Sequence, residues 1–384
     1  MLKPLRAYRP ERNKAHLVPS RSVDSYTARQ LLDKLENNPF SFLQVIRPET
    51  DLLLTNEERF QRIRERLDDF MHTDVFIEDE KEAYFLYEQR TNGKTYTGLI
   101  GLLDVNTSRI HLHENTLESR ERLFADYLKT TGFQAEPILV FGASNDDRKE
   151  VFERIKADEP LFDFFTTNEI GHRLWAVDER HVAALQSSME DLEEYFLADG
   201  HHRYGSTCRV AQSLESNTAA QHILTMFMDE SDLGIDSFER WVKVTAEEIT
   251  VADFEAKFEV SPKAGGFDEV EGDFELFIQG QWFSVVLPLE VDRSLPPSYL
   301  MKAVLEPVLG INNAKTDKRI TYIHQGDCDQ SAEMAVNGLR VGFRLPPVSV
   351  EVLKKTALAG GIMPPKSTYI APKLRSGMLL HLFK

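Results

Sequence analysis

Five consecutive residues, Asp199-Gly200-His201-His202-Arg203, place a carboxylate, a glycine, two imidazoles and a guanidinium within one turn of chain. The apolar run Tyr195-Phe196-Leu197-Ala198 before them reads as a strand. Tyr204, Cys208 and Ala211, at i, i+4 and i+7, read as one face of a helix. The pentad therefore fills a strand-to-helix turn, with a carboxylate at the strand end and a glycine that lets backbone approach a ligand. A helix N-terminus already carries about half a positive charge, so each cation in the first turn costs about 0.3–1 kcal/mol unless an anion faces it. In one reading, backbone N–H groups, His201, His202 and Arg203 cradle a phosphate while Asp199 handles a proton or Mg²⁺. In the other, Asp199 caps the helix and the basic side chains are solvated.

Two further segments carry chemistry. In His111-Leu112-His113-Glu114-Asn115-Thr116, a strand would point His111 and His113 the same way, a geometry a metal can use, although no third ligand stands at a recognisable spacing. Glu114 precedes a predicted helix cap and is a second carboxylate at a strand-to-helix junction; the plainer reading is a solvated turn residue. Beyond Glu351 there is no acidic residue, although the chain carries a net charge of −17; Lys354, Lys355, Lys366, Lys373, Arg375 and Lys384 all lie in that stretch. Within it, Pro364-Pro365-Lys366-Ser367-Thr368 follows a Gly360-Gly361 helix stop. A lysine with two hydroxyls on a loop suits phosphate oxygens, and equally suits a solvated face.

These groups need a scaffold, and the chain supplies one. With 384 residues, 42% hydrophobic and 10% aromatic, it can bury a substantial core and points to two domains, divided near residue 218 as 1–218 and 219–384. A predicted helix over 26–35 precedes a strand-like run over 41–46. An amphipathic helix follows, with Phe60, Ile63, Leu67 and Phe70 on one face and a Thr55/Glu58 capping box. Runs 84–88 and 96–105 flank a hairpin turn, the second continuing toward Ile110–His113. Asn115 and Glu118 have capping spacing for a helix presenting Leu117, Phe124 and Leu128. Alternating strands and helices continue to residue 359, giving an α+β (mixed α/β) fold. The negative charge speaks against gripping nucleic acid. No run of about 20 apolar residues is present to span a membrane, no apolar leader is evident, and two cysteines make no disulfide framework, so a cytoplasmic protein is expected.

His113-Glu114, the Asp-Gly-His-His-Arg pentad and Pro365-Lys366-Ser367-Thr368, in that order, resemble the motifs of free-serine kinases, whose core is related to ParB and sulfiredoxin. Over nearly its whole length the chain resembles DUF1015. That likeness rests on Asn38-Pro39-Phe40-Ser41-Phe42-Leu43, Arg47-Pro48-Glu49, His113-Glu114-Asn115-Thr116, Ala198–Tyr204 and 363–369. Two departures stand out: Ser367 replaces a threonine, and the usual Pro-Tyr-Asp is here Val18-Pro19-Ser20-Arg21-Ser22-Val23-Asp24. The resemblance implies a ParB/sulfiredoxin-like core with a second α/β domain, and a phosphotransferase acting on a small hydroxyl such as free L-serine. Pyrophosphate, ADP or ATP would be the donor and Mg²⁺ the cofactor. Glu114 would be the general base and Asp199 would position the acceptor or hold Mg²⁺. His113, Gly200, His201, His202, Arg203, Lys366, Ser367 and Thr368 would surround the phosphate. Alternatives are a nucleotide- or phosphometabolite-binding protein without turnover, and a metal-dependent hydrolase built on His111, His113, His201 and His202.

Overall fold

The computed structural model describes residues 2–47, 54–91, 93–244, 249–263, 269–336 and 340–383. Two compact units make up the chain: the first is 1–233 with 372–384, the second 234–371. The first unit runs past residue 218 because the strand His222–Asp229 is central to its main sheet. Among the described residues, no helix is long and apolar enough to cross a membrane.

The first unit begins with β1 (Tyr8–Pro10), α1 (Ala28–Asn37), α2 (Leu43–Ile46), α3 (Asn56–His72) and β2 (Phe76–Glu78). Both α1 and α3 open on complete capping boxes, Thr27/Gln30 and Thr55/Glu58, satisfying two end donors each. Phe60, Ile63 and Leu67 of α3 are buried as their spacing requires. The run expected as a strand over 41–46 is instead the short helix α2. Leu43 and Val45 are both fully buried, and Asn38 Oδ1 and Ser41 Oγ accept from the backbone N–H groups of Phe40 and Leu43, turning the chain. A short, largely apolar run fits a buried helix as well as a buried strand.

The main sheet then forms from β3 (Phe85–Thr91), β4 (Lys94–Asp104) and β5 (Ile110–His111). After α4 (Glu118–Thr131) and β6 (Phe133–Gln134) come β7 (Ile138–Gly142), α5 (Asp146–Lys156), β8 (Phe162–Phe165), β9 (Gly171–Ala176) and α6 (Glu179–Ser188). It closes with β10 (Tyr195–Asp199), α7 (His201–Ser213) and β11 (His222–Asp229). Its order is β5-β10-β7-β11-β4-β3-β9-β8. The β5–β10 and β7–β11 pairs are parallel and the rest antiparallel. The predicted hairpin is β3–β4. Asn115 does not cap α4, which starts after Leu117 with no side-chain cap. Thr116 instead donates its hydroxyl to Glu121, and Ala125, Leu128 and Thr131 are buried while Leu117 and Phe124 are exposed. Helix α7 packs on α4, β7 and β11.

In the second unit a six-stranded antiparallel sheet (259–262, 274–278, 281–286, 238–243, 320–324 and 340–344) carries its own core around Phe254, Phe274, Leu300 and Phe343. A separate two-stranded pair joins Gly234–Asp236 to Tyr369–Ala371, with Gly234 opposite Ala371.

Candidate functional site

The turn between β10 and α7 is built from three local devices. A bulge breaks the β10–β7 register between Leu197 and Asp199, so Asp199 lies opposite Leu139 instead of continuing the alternation. Gly200 then adopts φ 102°, and an added Cβ would lie 2.8 Å from Ile138 Cγ2, so no other residue fits without displacement. Finally α7 starts at His201 with no side-chain cap on its first turn, in contrast to α1, α3, α5 and α6.

Two clusters meet at this helix start. In one, Asp199 Oδ1 accepts from Lys373 Nζ at 2.8 Å and Oδ2 from Arg203 Nη2 at 2.9 Å. Arg203 also donates to Glu136 and to the Pro137 carbonyl, and Ser376 Oγ donates to the other Glu136 oxygen at 2.8 Å. Burial pushes the Asp199 carboxyl up, but Lys373 and Arg203 outweigh it and hold it down at about 2. In the other cluster, Glu114 Oε2 lies 3.7 Å from His201 Nδ1, too long for a hydrogen bond. The His201 ring stands edge-on to His113 with centroids 4.6 Å apart. Glu114 is half-exposed, whereas both histidines are buried. Burial lowers His113 to about 4; burial, then His113, lowers His201 to about 3.

The expected crowd of cations is therefore corrected. His201 and His113 are neutral at pH 7, because desolvation disfavours a buried imidazolium. Arg203 is neutralised by the protein's own Glu136 and Asp199. His202 is half-buried, and its carbonyl accepts from Ser206. The structure brings Glu114, His113, Asp199, Gly200, His201 and Arg203 together around one helix start. Lys366, Ser367 and Thr368 belong to the second unit. There Ser367 is buried and donates to the Pro364 carbonyl, and the Lys366 ammonium lies 5.1 Å from the Phe238 ring. His111 does not face His113: the strand stops at His111, which pairs with Glu194 and stacks on Phe196. Among the described residues no group of three His, Cys, Asp or Glu side chains is placed to hold a metal ion. Glu49 lies outside the described residues. The sequence reading missed Lys373, Glu136 and Ser376; the acid-free tail was the one signal pointing to Lys373.

A cavity of about 730 Å³ opens beside the first cluster. Arg203, Glu136 and Ser376 form its polar side, and Phe60, Tyr127 and Phe133 are among its apolar walls. That volume suits a medium-sized organic molecule.

Among solved structures, a free serine kinase in complex with AMP superposes with a TM-score of 0.38 at 14% identity, over 73% of this chain and 91% of the kinase. A conserved hypothetical protein from Pyrococcus furiosus gives 0.35 at 15% identity, over 71% of this chain and 90% of that one. SbnI with C-terminal truncation from Staphylococcus aureus gives 0.35 at 13% identity, over 71% and 82%. No curated protein matches the sequence. The family described as a protein of unknown function, DUF1015, matches residues 2–307, and the chain belongs to that family.

Proposed function

We propose that this protein is a small-molecule phosphotransferase, moving a phosphoryl group to the hydroxyl of a serine-like acceptor at the start of α7. One observation carries the reading: Asp199, held ionised by Lys373 and Arg203, shares an uncapped helix start with a second, half-exposed carboxylate, Glu114. Such a reaction needs in-line positioning, neutralisation of phosphoryl oxygens and a base for the acceptor proton. Glu114 takes the hydroxyl proton as the acceptor oxygen bonds to phosphorus and the bond from phosphorus to the leaving phosphate oxygen breaks. Backbone N–H groups of the first turn face the phosphoryl oxygens. Lys373, half-exposed at its Asp199 contact, is the cation able to turn toward them, the role expected of Lys366.

Three carboxylates (Glu114, Glu136 and Asp199) and two cations (Arg203 and Lys373) leave the cluster with one net negative charge. A polyphosphate entering it needs a divalent counter-ion. Mg²⁺ commonly takes one or two carboxylates and fills its remaining positions with phosphate oxygens and water. Asp199, ionised and a third exposed, is the residue that would hold it, and the ion would neutralise charge on the donor phosphates. The apolar cavity beside Arg203 favours a donor with an organic body, ADP or ATP, over pyrophosphate. On the same reading the eight-stranded unit is the ParB/sulfiredoxin-like core.

The test is a coupled assay with L-serine, Mg²⁺ and, separately, ATP, ADP and pyrophosphate. Phosphoserine from a nucleotide is expected, and product from none of the three overturns the reading. Asp199→Ala should then lower turnover at least about a hundredfold.

A further inference from the structure

Among the described residues, the buried cations Arg344 and Lys263 of the second unit are matched by carboxylates, whereas Arg240 is not. Arg344 Nε donates to Glu239 at 2.6 Å, and Lys263 pairs with Glu275. Arg240, on the strand Phe238–Lys243, is 3% exposed and, among the described residues, meets neutral groups only. Its Nη1 donates to the Phe238 carbonyl at 2.8 Å, its Nη2 to the Lys366 carbonyl at 3.0 Å, and its guanidinium carbon lies 5.7 Å from the Tyr322 ring. A guanidinium removed from water without a counter-ion is strongly unfavourable. Burial pulls its pKa down to about 10, and it remains charged at neutral pH.

Arg240 forms one wall of a cavity of about 270 Å³. Lys302, Lys315, Ser298, Asn312 and Asn313 also line it, and no carboxylate does among the described residues. In a chain of net charge −17, three cations converging on one concavity without an acid are a local inversion of sign. Asp292 senses Lys302 electrostatically but is not part of the lining. Two backbone irregularities shape the cavity. Met301–Leu305 winds as a π-helix, a form that concentrates at functional sites. Lys366 takes φ +56° beside Pro364 and Pro365 of the cavity wall, and its carbonyl holds Arg240.

We propose that this cavity is a second anion site, binding a small phosphate-bearing dianion between Arg240, Lys302 and Lys315. Its volume lies below the usual range for nucleotide-sized ligands, so phosphate, pyrophosphate or a phosphorylated amino acid is the class that fits. The site stands whether or not the first unit transfers phosphoryl groups.

The experiment titrates the full-length protein calorimetrically with inorganic phosphate, pyrophosphate and O-phosphoserine, and follows each by hydrogen exchange. Expected is binding of at least one anion, with protection in peptides covering Arg240 and 312–315; the tightest of the three names the ligand. Lys302→Glu with Lys315→Glu, both at exposed positions, should weaken binding at least about tenfold with an unchanged melting temperature. Asp199→Ala should leave that protection intact. No binding by any of the three, protection confined to residues 199–204, or wild-type affinity in the double variant would each overturn the assignment.

Discussion

Alanine at position 200 should uncouple the start of α7 from the sheet, and its effect divides into two measurable parts. Gly200 sits at φ 102°, where a Cβ meets its own backbone; the left-handed region costs an L-residue about 1–2 kcal/mol. The same Cβ would lie 2.8 Å from Ile138 Cγ2 and 3.0 Å from Arg203 Nε. Ile138 is fully buried and cannot withdraw, so overpacking adds about 1–3 kcal/mol. Gly93 provides the comparison within the same unit: φ 76°, with nothing within 4 Å of an added Cβ. Gly93→Ala should therefore lose only the backbone part, about 1–2 kcal/mol, and Gly200→Ala about 2–5 kcal/mol in all. Urea unfolding followed by ¹⁹F NMR of fluorotryptophan protein reads this cleanly, because Trp175 reports on the first unit while Trp241 and Trp282 report on the second. Equal losses in the two variants would refute the proposed close fit of Gly200 against Ile138.

Stability should fall as the pH drops below 6.5. The unfolded chain protonates its histidines near that value, whereas His113 and His201 in the fold resist until about 4 and 3. Proton uptake by the unfolded state then removes up to about 3 kcal/mol on account of His113 by pH 4. His113→Asn should flatten that slope in urea midpoints taken across the range, and an unaltered slope would contradict it. Arg148→Met should cost about 3–5 kcal/mol, since it strands Asp229 in a site where both partners are 1% exposed. Arg148→Met with Asp229→Leu should recover most of that loss in the same unfolding measurement.

Much of the scaffold was legible because its signals are local. The Thr55/Glu58 capping box, the β3–β4 hairpin and the strand-to-helix switch at Asp199 each lie within a few residues, and each appears where the pattern places it. The family resemblance was legible for the same reason, since its motifs are short strings. Residues 41–46 were misread because period cannot separate a buried strand from a buried helix in so short and largely apolar a run. At the site, the pentad stood out, but its partners did not: Lys373 is 174 residues from Asp199, and Glu136 is 67 from Arg203. The protonation of His201 was misjudged because charge counting along a helix ignores burial, and desolvation is the largest influence on that ring.

The antiparallel pairing of Gly234 with Ala371 means that the excursion from the first unit departs and returns on neighbouring strands, about 5 Å apart. Residues 234–371 therefore form one continuous insertion in the sequence of the first unit, and a short splice between Leu233 and Pro372 should close the gap without stretching either end. The order of synthesis gives the same topology a temporal side. Lys373, which holds Asp199, and Ser376, which holds Glu136, emerge from the ribosome only after the whole excursion has been made. Until then the nascent first unit keeps those two acids without these partners.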